Sequence, residues 1–168
     1  MAEIEPTIEQ REPQPYVGIT RRVTMATVVP TLPDAGGELG VHVEANGWPR
    51  AGAPFWRYRV IDMEGELEVE VGVPLAEPAV PPSDSPVQAG TLPAGRYVTL
   101  THVGHPDELE QVTGRLLAWA SSRGLRWDST EQPDGEHWGC RLEIYLSDPE
   151  TEPDMTKWRT ELAFKLAD

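Results

Sequence analysis

The chain has 168 residues, a length suited to one domain or two very small ones, and its 39% apolar content supports a packed core. Acidic residues outnumber basic ones 28 to 14, a formal charge of −14. That balance argues against direct nucleic-acid binding and against docking on anionic membranes, and fits high solubility or a cationic partner.

The opening Met1-Ala2-Glu3-Ile4-Glu5 has neither the basic nor the apolar region of a secretory signal. No apolar run approaches the roughly 18 residues of a membrane span. A soluble, cytoplasmic protein is expected. Residues 1–13 are polar, acidic and proline-bearing, and predict a flexible tail. From Tyr16 to Val29 β-branched residues dominate, which predicts a strand broken at Pro30 to Asp34. Residues Gly36 to Ala45 predict a short, glycine-weakened helix stopped at Asn46-Gly47. Phe55–Ile61 and Leu67–Val73 predict a hairpin around Asp62–Gly65. In its second arm Leu67, Val69, Val71 and Val73 alternate with Glu66, Glu68 and Glu70, the pattern of one buried and one wet face.

Residues 76–92 are proline-rich and predict an extended linker. The same grammar then returns. Gly95–Val103 predicts a strand, and Pro106-Asp107-Glu108 opens a helix. Leu109, Val112, Leu116 and Trp119 or Ala120 repeat at helical spacing up to Gly124. Cys140–Leu146 and Thr160–Leu166 predict the last two strands.

The order β-α-β-β, linker, β-α-β-β predicts an α+β fold of two repeats, residues 14–75 and 93–168, related by a pseudo-twofold axis. Its antiparallel sheets would form a concave groove, with the helices on the opposite side. In the strand 140–146, the stripe Leu142, Ile144 and Leu146 is expected to meet the helices. Arg141, Glu143 and Tyr145 then face the groove, joined by Trp56 and Tyr58 of the matching strand.

A carboxylate among aromatics needs a partner or a raised pKa. A cationic ligand stacked on tyrosine and tryptophan supplies that partner. Glu143, Tyr145, Tyr58, Trp56 and Trp158 are therefore the candidate ligand-binding residues, although Trp158 equally suits a cap on the sheet. Trp119 reads as core, and Trp48, Trp127 and Trp138 read as loop residues or lids. The single cysteine, Cys140, excludes a disulfide framework and a multi-Cys zinc site, and reads as a buried inert thiol. The pair His102-x-x-His105 spans a strand end and a helix start, so no metal is expected. No phosphate loop or nucleophile elbow is present, and no cofactor is expected.

Residues Leu92-Pro-Ala-Gly-Arg-Tyr97, Thr101-His-Val-Gly104, Pro106-Asp-Glu-Leu109, Leu117-Ala-Trp119, Glu143-Ile-Tyr-Leu-Ser-Asp-Pro149 and Thr160–Leu166 occur in that order. With Val71-Gly-Val-Pro-Leu75 of the first half, they resemble the GyrI-like small-molecule-binding domains. These also form the effector-binding halves of some AraC- and MerR-type multidrug regulators. The resemblance implies a groove between two swapped-edge repeats for bulky, aromatic, often cationic compounds. It places the family's central glutamate on Glu143 and its aromatic neighbour on Tyr145. No helix-turn-helix is expected before the domain, so the resemblance implies a stand-alone binder that sequesters its ligand. Two alternatives stand beside it. One is a hydrolase that opens strained electrophilic rings of aromatic natural products, with Glu143 as general base. The other is a gyrase-interacting protein, in which the acidic loop Asp62–Glu70 mimics DNA charge.

Overall fold

The computed structural model describes residues 5–62 and 64–167. Met63 of the expected hairpin loop, the first four residues of the expected tail, and Asp168 lie outside them. The first half contains β1 (Thr7–Arg11), β2 (Gln14–Val23), α1 (Val28–Asn46), β3 (Phe55–Ile61) and β4 (Leu67–Pro74). The second contains β5 (Gln88–Leu92), β6 (Gly95–Val103), α2 (Leu109–Ser122), β7 (Ser129–Gln132), β8 (Gly135–Trp138), β9 (Arg141–Tyr145) and β10 (Arg159–Lys165). The fold is α+β, as expected: an antiparallel sheet in the order β1-β6-β10-β9-β3-β4-β2-β5, with the β7–β8 hairpin attached through β8 to β3.

The strand order explains two departures. β1 pairs with β6 of the other half, from Thr7↔Thr99 to Arg11↔Gly95. β5 pairs with β2, from Gln14↔Leu92 to Gly18↔Gln88. Thus part of the expected tail and the end of the expected linker are edge strands, each crossing to the opposite half. Their side chains are mostly exposed, so no apolar alternation announces them; backbone pairing holds them. Deleting residues 1–11 removes a five-residue ladder and the 2.8 Å Arg11–Glu161 ion pair. It is expected to cost about 2–4 kcal/mol and to leave β6 as a naked edge. Thermal melts and size-exclusion profiles of the truncated chain check this. An unchanged melting temperature would sink it.

The first helix is longer than expected. The strand ends at Val23, and α1 begins before the glycines. The helix is broken at Val29 (φ −109°, ψ 122°), and Pro33 lies inside it. Counted from that break, Pro30 and Pro33 hold the first and fourth helical positions. The first-turn backbone N–H groups have no intrahelical acceptor, so Pro30 forfeits no bond, and Pro33 forfeits only the one to the Val29 carbonyl at the break. Gly47, at φ +65°, ends the helix in the left-handed conformation that its lack of Cβ permits.

Leu32, Ala35, Leu39 and Val43 of α1 pack on Val17, Ile19 and Val23 of β2 and Val69, Val71 and Val73 of β4. Leu109, Val112 and Leu116 of α2 pack with Val98, Leu162 and Phe164. A third cluster, Tyr16, Phe55, Leu92, Tyr97, Cys140, Leu142 and Ala163, fills the other face of the sheet. The wet face expected for β4 is only partly wet. Glu66 is exposed, while Glu70 is 2% exposed. Among the described residues no helix is long and apolar enough to cross a membrane.

Candidate functional site

Strands β3 and β9 meet at the centre of the sheet with Phe55↔Ile144, Trp56↔Glu143 and Arg57↔Leu142 in register. Side chains alternate between faces, so Trp56, Tyr58, Arg141, Glu143 and Tyr145 share one face. Val71 pairs with Trp56 and Leu162 with Glu143, and both belong to the helix-covered clusters. The cluster is therefore on the same face as the helices, not opposite them. Helix α1 lies on β2 and β4, α2 lies on β6, and the β3–β9 seam is the floor between.

The stripe expected to meet the helices takes the reverse position. Leu142 and Ile144 pack with Tyr16, Phe55 and Tyr97 on the far face, and Leu146 is 45% exposed. The physical reason is that the sheet is buried on both faces here. An apolar stripe in a doubly covered strand does not specify which layer it meets.

Within the cluster, the Tyr58 hydroxyl donates to Glu143 Oε1 at 3.0 Å and the Tyr145 hydroxyl donates to the same oxygen at 2.6 Å. Trp56 meets Tyr145 edge-to-face, ring centroids 5.0 Å apart. All four side chains are half-buried. Burial pushes the Glu143 carboxyl above its usual range, against the opposing pull of the tyrosine hydrogen bonds and Arg141. Burial, reinforced by the Glu143 charge, pushes both tyrosines well above theirs, so they remain neutral donors. Both donors converge on Oε1, which leaves Oε2 as the carboxylate oxygen for a further partner.

Four of the five candidate residues thus come together. The fifth, Trp158, stands one strand step beyond Thr160, the partner of Tyr145. Its indole N–H donates to the Glu152 carbonyl at 2.7 Å, which ties it to the preceding turn. Trp127 and Trp138 are neither lids nor loop ornaments. They pack with Phe164 at centroid distances of 5.7–5.8 Å, beside the hairpin that the sequence did not announce. Trp48 packs against the α1 core, and Trp119 carries the Arg123 guanidinium 4.1 Å above its ring.

Sequence reasoning missed a second polar cluster, on the far face. Glu70 Oε1 accepts from the Tyr16 hydroxyl at 2.5 Å and from Arg59 at 2.8 Å. Arg57 donates to the Tyr16 oxygen at 3.0 Å and to the Gly139 carbonyl at 2.8 Å. Burial and the Glu70 charge push Tyr16 up to about 12. The available signal was Arg57, directly across from Glu70 in the adjoining strand. A register slip between Tyr58 and Val60 makes Arg59 an extra residue in β3.

The far face also has a cavity of about 380 Å³, lined by Arg11, Phe55, Leu92, Tyr97, Leu142 and Ile144 among others. Its arginine is already engaged by Glu9 and Glu161, so it offers no free charge to orient a ligand. Of the two histidines considered for metal, His105 caps the turn before α2 by accepting from the Asp107 amide. No group of three metal-ligating side chains occurs among the described residues. Cys140 is buried, and burial raises its thiol, which leaves it unreactive.

The family model of the GyrI-like small molecule binding domain matches residues 4–167. No curated protein sequence matches the chain. Among solved structures, the C-terminal domain of EcmrR has a TM-score of 0.73 at 16% identity, covering 98% of each chain. In the EcmrR–DNA complex the match spans 57% of the EcmrR chain, with a TM-score of 0.74 and 98% of this chain covered, again at 16% identity. SAV2435 bound to tetraphenylphosphonium has a TM-score of 0.64 at 13% identity, covering 98% of this chain and 94% of that one. A hydrolase from Listeria innocua has a TM-score of 0.60 at 15% identity, covering 99% and 94%. At these identities the likeness is one of fold.

Proposed function

The chain belongs to the GyrI-like small molecule binding domain family, and from that premise we propose that it binds and sequesters bulky aromatic, often cationic compounds over the β3–β9 seam. The observation that carries this reading is Glu143, a carboxylate walled by Trp56, Tyr58 and Tyr145 with one oxygen unengaged among the described residues. Left alone, its ionised form is disfavoured by burial. A delocalised cation stacked on the rings relieves that cost through charge pairing and cation–π attraction. Trp56, Tyr58, Tyr145 and Trp158 supply the stacking walls, and Glu143 supplies the charge. The net charge of −14 adds weak steering of cations. The binding of tetraphenylphosphonium by SAV2435 suggests the probe. Titrating the protein with that cation is expected to quench tryptophan fluorescence with saturation in the micromolar range. No change at high micromolar concentration would overturn the reading.

A second reading rests on the same unengaged oxygen. A carboxylate with a raised pKa is suited to take a proton from water as general base. With a strained three-membered ring conjugated to a carbonyl bound above it, water oxygen would bond to a ring carbon. The adjacent ring bond would break, its electron pair passing to the carbonyl oxygen. A tyrosine hydroxyl turned away from Glu143 Oε1 would polarise that oxygen, and the proton taken by Glu143 would pass to the product. Incubation with such a compound and mass spectrometry for a product heavier by one water separates turnover from binding. A mass unchanged against a protein-free control removes this reading and leaves sequestration standing.

A further inference from the structure

Arg141 lies two residues before Glu143 on β9, on the same face and about 7 Å along the strand. Its guanidinium is held by aromatic faces, with its carbon 4.6 Å from the centre of the Phe164 ring, 4.9 Å from Trp138 and 5.9 Å from Tyr58. Tyr58 is the same ring whose hydroxyl holds Glu143. Stacking occupies the planes of a guanidinium and leaves its five N–H donors at the edges. Yet within 4.0 Å the group meets a single carboxylate among the described residues, Glu136, at the limit of that distance. The Glu136 oxygen concerned already accepts the Trp138 indole N–H at 2.5 Å. The Arg141 side chain is only 16% exposed. It is a largely desolvated cation with aromatic company and, among the described residues, no hydrogen-bond acceptor of its own.

We propose that Arg141 is a second polar subsite of the same groove, one that takes an anionic or carbonyl oxygen of the ligand. The preferred ligand class is then bipolar. A planar aromatic body presents a cationic or hydrogen-donating group to Glu143. It presents a carboxylate, phenolate or carbonyl to Arg141, about one two-residue strand step away. This rests on the small-molecule reading above and narrows it. A lipophilic monocation satisfies Glu143 and leaves Arg141 as it was. A zwitterion satisfies both and brings no net charge into the groove. Charge-assisted, planar pairing between a guanidinium and a carboxylate is among the stronger polar contacts, and its directionality selects for oxygen placement.

The test uses rhodamine B, a zwitterion with a free carboxylate, and its ethyl ester, a monocation with the same aromatic body. Affinities of the full chain for each are read by fluorescence anisotropy. The zwitterion is expected to bind about tenfold more tightly than the ester. In Arg141→Gln the ratio of the two affinities should collapse toward one. In Arg141→Lys, which keeps the charge and loses the planar fork, it should fall part of the way. Equal affinities in the wild-type chain overturn the proposal, as does a preference that survives in Arg141→Gln. The wild-type dye pair decides the matter if that variant does not fold. Failure of both dyes to bind strikes the small-molecule reading itself. Binding of the ester without preference for the acid strikes only the Arg141 subsite.

Discussion

Replacing Glu143 with glutamine is expected to weaken binding of aromatic monocations about 10–100-fold while making the ligand-free protein more stable at neutral pH. The two effects share one cause. Glutamine preserves the shape and can still accept from Tyr58 and Tyr145 through its carbonyl oxygen. What it removes is a negative charge that burial disfavours. The folded protein holds the Glu143 proton more tightly than the unfolded chain does, whose glutamates titrate near 4.5. The stability contribution of this group is therefore fully present below about 4.5 and is lost as pH rises through the raised folded value. Above that window the wild-type chain carries an unfavourable charge and the variant does not. The variant should therefore melt above the wild-type chain at neutral pH.

Binding runs the other way with pH. A cation competes with the proton for Glu143, so its affinity rises with pH up to the raised carboxyl value and then levels off. The glutamine variant should lose that dependence. Calorimetric titration with tetraphenylphosphonium across pH 5 to 8, beside melts of both proteins, reads both effects. A variant that binds as tightly as wild type would remove Glu143 from the site. A variant that binds weakly and melts lower would mean that the carboxylate is needed for the fold.

The largest stability loss is expected at the other buried acid. Glu70→Ala should lower the unfolding free energy by about 3–5 kcal/mol, the range for leaving buried charges without their partner. Glu70 is 2% exposed and accepts from Tyr16 and Arg59, while Arg57 reaches the same tyrosine oxygen. Removing the carboxylate leaves two guanidinium groups and a hydroxyl crowded together. Arg59 can turn toward water, but Arg57 is 8% exposed and its Nε already lacks a hydrogen-bond partner among the described residues. Glu70→Gln keeps the volume and one acceptor and should cost about 1–2 kcal/mol. Urea unfolding followed by tryptophan fluorescence gives both values. A loss below about 1 kcal/mol for alanine would mean that the network is dispensable. Because this cluster is on the far face, ligand affinity in the folded fraction should be unchanged. That separates the two acids by role.

The pair illustrates how the sequence can be read and misread. Glu143 stands out because it interrupts a Leu-Ile-Leu stripe by alternation and has Tyr145 two residues away. Glu70 falls in an equally regular alternation with Glu66 and Glu68, which reads as a wet face. The difference lies in what covers each position. β4 lies between β2 and β3; Arg57 stands directly across from Glu70, and Tyr16, two strand steps along β2 from the Glu70 partner Thr20, reaches back to close over it. Exposure depends on these neighbours, and neighbours are set by register.

Strand periods, the second helix from Pro106 to its end near Gly124, and the aromatic–carboxylate composition of β3 and β9 were all legible in the chain, because they follow from local alternation, capping and breakers. The pairing of Trp56 with Glu143 across the seam, the identity of β1 and β5 as the crossing edge strands, and the side on which the helices lie were decided by tertiary structure alone. Alternation divides a strand into two faces, but it does not say which face a helix will cover when both are buried. That choice is made by the competition of whole surfaces for burial. Here it placed Glu143 between the helices and Leu142 beneath the sheet.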